Sequence, residues 1–193
     1  TIAVAGGSHS EHWMTALDEI GKRQGFRVTT YMKAGCALST EAFVEFNGEL
    51  LDECEDWVDR VVDRIAQDQP EFVFTTSTRP VPGAAPGDDT PQGYVDIFER
   101  FREAGQNVIA VRDTPWATTA RAIPRDCIAA GRRPELCGVQ RSATLSDVSP
   151  TDAIADDFPN ITFLDYSDAM CRDGVCPAVV GNILVWHDSH HVT

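Results

Sequence analysis

The sequence has no run approaching the ~20 consecutive apolar residues that a membrane-spanning helix requires, and no signal peptide precedes Thr1. Basic residues are scarce: 16 Lys and Arg stand against 30 Asp and Glu, a formal net charge of −14. That balance excludes nucleic acid as a partner and argues against an anionic membrane surface. No C-x-x-C pair is present, so a zinc ribbon is not expected. No internal repeat and no second apolar centre can be read along the chain, which gives one domain over residues 1–193.

What is there is globular. The chain of 193 residues is 42% hydrophobic and 8% aromatic, which suits one α/β domain with a core on both sides of a sheet. Short apolar runs at Ile2–Ala5, Phe26–Tyr31, Glu71–Thr76, Val108–Val111 and Ile161–Asp165 read as strands. Between them lie helical patterns. Trp13, Met14, Leu17 and Ile20 form one stripe that ends at Gly25. Leu51 to Gln67 is acidic and amphipathic, with Cys54, Trp57, Val58, Val61, Val62 and Ile65 on one side. Tyr94, Ile97, Phe98 and Phe101 mark a third helix, ending at Gly105. Strand and helix in alternation predict a parallel sheet of about five strands in a three-layer α/β/α sandwich.

The remaining segments are irregular. Val81 to Gln92 reads as a long loop at the edge of the sheet, and Arg121 to Ser142 as a polar, lid-like excursion. A last strand leads into the Asp188 region. The six cysteines fall into local pairs, Cys36 with Cys54, Cys127 with Cys137 and Cys171 with Cys176. Three short-range disulfides in an oxidising compartment fit this pattern, with other connectivities and a reduced chain remaining open.

Two stretches carry chemistry. The first strand breaks on Gly6-Gly7 and restarts as a helix at Ser8, which leaves the Ser8 hydroxyl on a sharp turn beside the N–H groups of the helix start. Such a turn can hold a nucleophile, though an ordinary turn or an anion cradle would use the same residues. At the far end, Trp186-His187-Asp188-Ser189-His190-His191 offers an imidazole base and, three residues before His191, a carboxylate to hold it. His187, His190, His191 and Asp188 read instead as a metal site would be poorly arranged for one tetrahedral ion. No metal and no cofactor are expected.

The two ends together resemble the SGNH hydrolase superfamily, whose first block is G-D-S and whose last is D-x-x-H. Gly6, Ser8, His9 and Trp13 match the G-D-S-H-x-x-x-W form of the first block, and Cys176 to Trp186 followed by Asp188 to Thr193 is similar to the end of the extracytoplasmic SGNH domains fused to membrane acyltransferase-3 proteins. The resemblance implies a flavodoxin-like fold and transfer of an acyl group to a hydroxyl of a cell-surface glycan. It further implies that an acyltransferase-3 membrane domain upstream in the same polypeptide delivers the acyl donor and tethers the domain outside the cytoplasm.

By this resemblance Ser8 is the nucleophile, His191 the base and Asp188 its partner. The Ser8 and Gly35 N–H groups would bind the oxyanion, and a Cys36–Cys54 bond would hold the Gly35 loop. The chain departs from the pattern twice: Gly7 stands where the family has aspartate, and Ser77-Thr78-Arg79 replaces G-x-N. Arg79 is the preferred local substitute for the missing asparagine. Asp113 and Trp116 follow the fourth strand in a D-x-P motif and are candidate substrate contacts, Trp116 by stacking on a sugar unless it is buried in the core. His9 and His12 are expected to cap the helix or face solvent. Because the chain stops at Thr193, the catalytic loop is expected to lack a brace on one side. An O-acetylesterase and a catalytically impaired glycan-binding domain are the alternatives.

Overall fold

The computed structural model describes every residue except 42–43, 46–48, 51–52, 82–85 and 118–122. Five apolar segments form the central sheet: β1 (Ile2–Gly6), β2 (Val28–Met32), β3 (Phe72–Thr76), β4 (Val108–Val111) and β5 (Ile161–Leu164). All are parallel, in the order β5-β4-β3-β1-β2. This is the flavodoxin-like order. The chain leaves β1 for β2 and then returns past β1 to β3, so a crevice opens at the carboxyl ends of β1 and β3.

The helices that concern the site are α1 (Ser8–Glu11), α2 (Met14–Gln24), α3 (Glu53–Asp68) and α4 (Gln92–Glu103). Side chains alternate across a strand, and here that alternation divides the core. Ala5, Val73, Val108, Ala110 and Ile161 pack with Val58, Val61, Val62 and Ile65 of α3 and Tyr94, Ile97, Phe98 and Phe101 of α4. Their neighbours Val4, Phe74 and Val111 pack on the other face with Leu17 of α2. The expected three-layer sandwich is therefore present. The charged residues of α3 face solvent, as their placement around the apolar stripe requires.

Several sequence expectations change. Strand β2 begins at Val28, two residues later than read, because Gly25 and Phe26 both donate to the Gly21 carbonyl and are used in ending α2. Ile20 is 48% exposed and leaves the stripe, while Leu17 and Gly21 face inward. Residues 51–52 of the acidic segment, 82–85 of the proline-rich loop and 121–122 of the arginine-rich excursion lie outside the described residues. Within the proline-rich loop, Asp88–Asp89 form a short antiparallel pair with Arg79–Pro80, which precede it.

The largest difference is a second core. Ala117, Cys127, Cys137, Val139, Leu145, Cys171, Cys176, Ala178 and Trp186 form a separate buried cluster. The described part of the arginine-rich excursion is therefore a packed wall and not a lid. Three disulfides join the cysteines in the local pairs named above, two of them within this cluster. The expected last strand does not join the sheet either. Val179–Val180 folds back on Ile183–Leu184 as a hairpin, since Gly181-Asn182 between them is a two-residue turn.

A buried ion cluster ties this wall to the sheet. Arg112, just beyond β4, donates from Nε and Nη2 to the two oxygens of Asp88, at 2.9 and 2.7 Å, and from Nη1 to Asp165 at 2.9 Å. Its Nη2 also donates to the Ser146 carbonyl at 2.7 Å. The Arg112 and Asp88 side chains are only 1% and 4% exposed. Substituting Arg112→Met strands Asp88 as a buried charge, and the expected loss is about 3–5 kcal/mol. Urea unfolding checks this: the midpoint falls with no change in slope. A loss below 1 kcal/mol would mean that the pair is not buried as described.

Candidate active site

Ser8, Asp188 and His191 meet at the carboxyl end of β1. Two glycines make the turn that carries Ser8. Gly6 has φ +135°, and a Cβ there would sit 3.2 Å from the Ser10 Cβ. Gly7 faces the backbone of Cys36, whose carbonyl oxygen would lie 3.1 Å from a Cβ at this position. The absence of the family's aspartate thus lets the Gly35–Cys36 loop come close to the Ser8 turn, and Cys54 fastens that loop from α3.

At the other end, Asp188 explains the D-x-x-H spacing. Its Oδ1 accepts the backbone N–H groups of His190 and His191, at 2.9 and 2.8 Å. That local turn swings the His191 ring onto the second oxygen, where Nδ1 lies 2.7 Å from Oδ2. Burial pushes the Asp188 carboxyl up, but the two N–H groups and the His191 ring outweigh it and hold the group well below the usual carboxylate range. With Asp188 ionised, the ring proton sits on Nδ1 and the lone pair on Nε2. That Nε2 is 2.7 Å from the Ser8 Oγ, across 183 residues of chain.

The loop bearing this pair is braced on several sides, contrary to expectation. Ala117 donates to the Ser189 carbonyl at 2.7 Å, Arg125 to the His187 carbonyl at 2.9 Å, and Thr193 to the Val185 carbonyl at 3.0 Å. Trp186, two residues before Asp188, is 1% exposed and anchors the loop in the second core.

A narrow cleft opens beside Ser8, lined among others by Gly7, His9, Gly35, Arg79, Tyr94 and Trp116. Gly35 and Arg79, the proposed oxyanion groups, both reach it. Of the three residues in place of G-x-N, Ser77 and Thr78 are fully buried, and Thr78 accepts the Asp113 backbone N–H at 3.0 Å. That leaves Arg79 as the one on the cleft, its guanidinium 5.2 Å from the Trp116 ring centre. Asp113 is buried with both oxygens engaged: one by His9 Nδ1 at 2.8 Å and the Thr114 N–H at 2.7 Å, the other by Trp116 Nε1 at 2.9 Å. It holds groups that face the cleft.

Trp116 is half-buried and stacks on His9 and His190, at 4.4 and 4.7 Å between ring centres. Those two rings are only 5.5 Å apart, so they share one face of the indole. Trp13, read as part of the helix stripe, packs on Phe74 and Tyr166.

His9 and His12 do not face solvent as expected. Both turn toward the base, with His9 and His12 ring centres 5.1 and 5.3 Å from that of His191. A four-residue helix gives no periodic signal from which this could be read. Burial and the nearby His9, and less so His191 and His190, lower the His12 pKa from 6.5 to about 4 against an opposing pull from Asp113. Between those values the unfolded chain binds a proton that the folded chain does not, so stability falls as the pH drops from 6.5 toward 4. Melting temperatures across this range are expected to fall less in His12→Gln than in the wild type. Parallel curves would mean that His12 titrates normally.

A serine on a sharp turn at the end of β1 and a D-x-x-H loop beside it, on a flavodoxin-like sheet, are the arrangement expected of the SGNH class. The family model described as "SGNH domain (fused to AT3 domains)" matches residues 1–193, and the chain belongs to that family. Its fold is similar to the periplasmic domain of a lipopolysaccharide acetyltransferase from Salmonella ser. Paratyphi A, with a TM-score of 0.65, 15% identity, and coverage of 100% of this chain and 77% of that one. No curated protein matches it.

Proposed function

We propose that this chain is a single O-acyltransferase domain that moves an acetyl-type group to a hydroxyl of a cell-surface glycan through an acyl-serine. One observation carries the reading: the unbroken hydrogen-bonded line from Ser8 Oγ through His191 to Asp188, with 2.7 Å at each step. The Ser8 hydroxyl attacks the acyl carbonyl as its proton passes to His191 Nε2. Asp188 holds the ring and stabilises the imidazolium. The N–H groups of Ser8 and Gly35 receive the oxyanion, with Arg79 as a charged donor where the asparagine is missing. His191 returns the proton to the leaving group. A glycan hydroxyl, deprotonated by the same ring, then takes the acyl group and frees Ser8.

Asp113 acts as a positioning residue for His9 and Trp116, and the exposed part of Trp116 offers sugar a surface. The three disulfides and the periplasmic setting of the Salmonella domain support an extracytoplasmic location. Fusion to an AT3 domain in this family supports a membrane-borne donor and tether in the same polypeptide. If water replaces the sugar, the same steps make an O-acetylesterase. Gly7 in place of aspartate favours one further reading, a glycan-binding domain without turnover.

Labelling with a fluorophosphonate followed by peptide mapping separates chemistry from binding. The expected result is one label per chain, on Ser8. A folded protein that takes up no label on that residue is a binding module only.

A further inference from the structure

The site holds more imidazole than acyl transfer requires. A ring nitrogen from each of His9, His190 and His191 lies within 4.8 Å of the other two. His9 comes from the first helix and the other two from the last loop, so the fold, not a local His run, assembles the group. Each ring is held at Nδ1: His9 by Asp113 at 2.8 Å, His190 by the Ser189 hydroxyl at 2.9 Å, and His191 by Asp188 at 2.7 Å. His9 Nε2 is shut away from solvent and has no hydrogen-bond partner among the described residues. A buried imidazole nitrogen without a partner forfeits its solvation. Polar groups that fix Nδ1 and direct Nε2 inward are the usual second shell of a histidine metal site.

We propose that His9, His190 and His191 form a binding site for a zinc-type divalent ion, and that the ion, when bound, withdraws His191 from Ser8. Zinc takes imidazole nitrogens at about 2.0–2.1 Å in tetrahedral array, which sets neighbouring nitrogens about 3.4 Å apart, so the rings close by roughly 1.4 Å at most. Three nitrogens suit zinc or copper and not magnesium or calcium, which take oxygen. No oxidation state changes: His191 Nε2 gives to the metal the lone pair that otherwise accepts the Ser8 proton, and water leaves the ion. The site differs from the one that the tail sequence suggests, because the His187 side chain is 71% exposed and lies outside the trio. Binding stands on the geometry alone, while inhibition rests on the roles given to Ser8 and His191 above.

Calorimetry of the chelator-treated protein, disulfides intact, tests the site with zinc chloride and, separately, magnesium chloride. One zinc per chain is expected, and no magnesium. His9→Gln and His190→Gln each remove the binding, Asp113→Asn weakens it about 10–100-fold, and His187→Gln and Ser8→Ala retain it, with melting curves confirming that every variant is folded. In the wild type, zinc lowers fluorophosphonate labelling of Ser8 in proportion to occupancy. Absence of zinc binding, survival of binding in folded His9→Gln or His190→Gln, or its loss in His187→Gln overturns the site. Zinc bound as described with labelling undiminished overturns the inhibition. Should Ser8 take no label at all, the acyl-transfer reading fails while calorimetry still decides the metal site.

Discussion

Ser8→Ala is expected to reduce hydrolysis of p-nitrophenyl acetate by about 10⁴-fold or more, down to the rate that binding and the oxyanion donors alone sustain. The substitution removes one oxygen from the turn and leaves its two shaping glycines in place. Stability should therefore stay within about 0.5 kcal/mol, as for other substitutions away from the core. The pairing of these two results is what gives the experiment its force: a large kinetic loss with an unchanged melting temperature places the chemistry on Ser8. Equal rates in variant and wild type would remove the acyl-serine and every step built on it.

Asp188→Asn carries the second large effect, for a reason specific to this loop. Asp188 does three things at once: it accepts the His190 and His191 N–H groups, accepts the His191 ring, and supplies the charge that an imidazolium needs. An amide in its place can keep the oxygen that orders the backbone turn, but it presents an NH₂ group to His191 Nδ1. That forces the ring proton onto Nε2, where it can no longer accept from Ser8. The expected loss is about 10⁴-fold in kcat, with KM nearly unchanged. Asp188→Ala removes the turn as well, so a comparison of the two separates loop shape from ring tautomer. A loss of only a few-fold in Asp188→Asn would mean that another group holds the base.

Much of the fold was legible because the strands are short, apolar and spaced by amphipathic helices, a pattern that leaves few arrangements other than a parallel sheet. The two ends of the site were legible for a different reason. Ser8 after two glycines and Asp188 three residues before His191 are local patterns, and the second is explained by bonds from Asp188 to the backbone of His190 and His191. What escaped was built from distant parts. His9 reaches Asp113 across 104 residues of chain, and nothing near either residue announces the other. Arg112 follows β4 as an unremarkable charge, yet it binds Asp88 and Asp165 from separate loops. The second core has little periodicity to read, since its elements around Trp186 are short: a six-residue helix, two-residue strand pairs and two disulfides. The Gly181-Asn182 turn was visible but gave way to the apolar residues on either side, which read as one strand.

The partnership of Ser8 with His191 also bears on biosynthesis. Within this domain Ser8 is translated 183 residues before His191, and β1, which presents the serine, is an interior strand flanked by β2 and β3. A nascent or truncated polypeptide that ends anywhere before His191 carries a hydroxyl with no base to activate it. On the roles proposed above, reactivity therefore begins only once the Asp188–His191 loop has docked against the Ser8 turn.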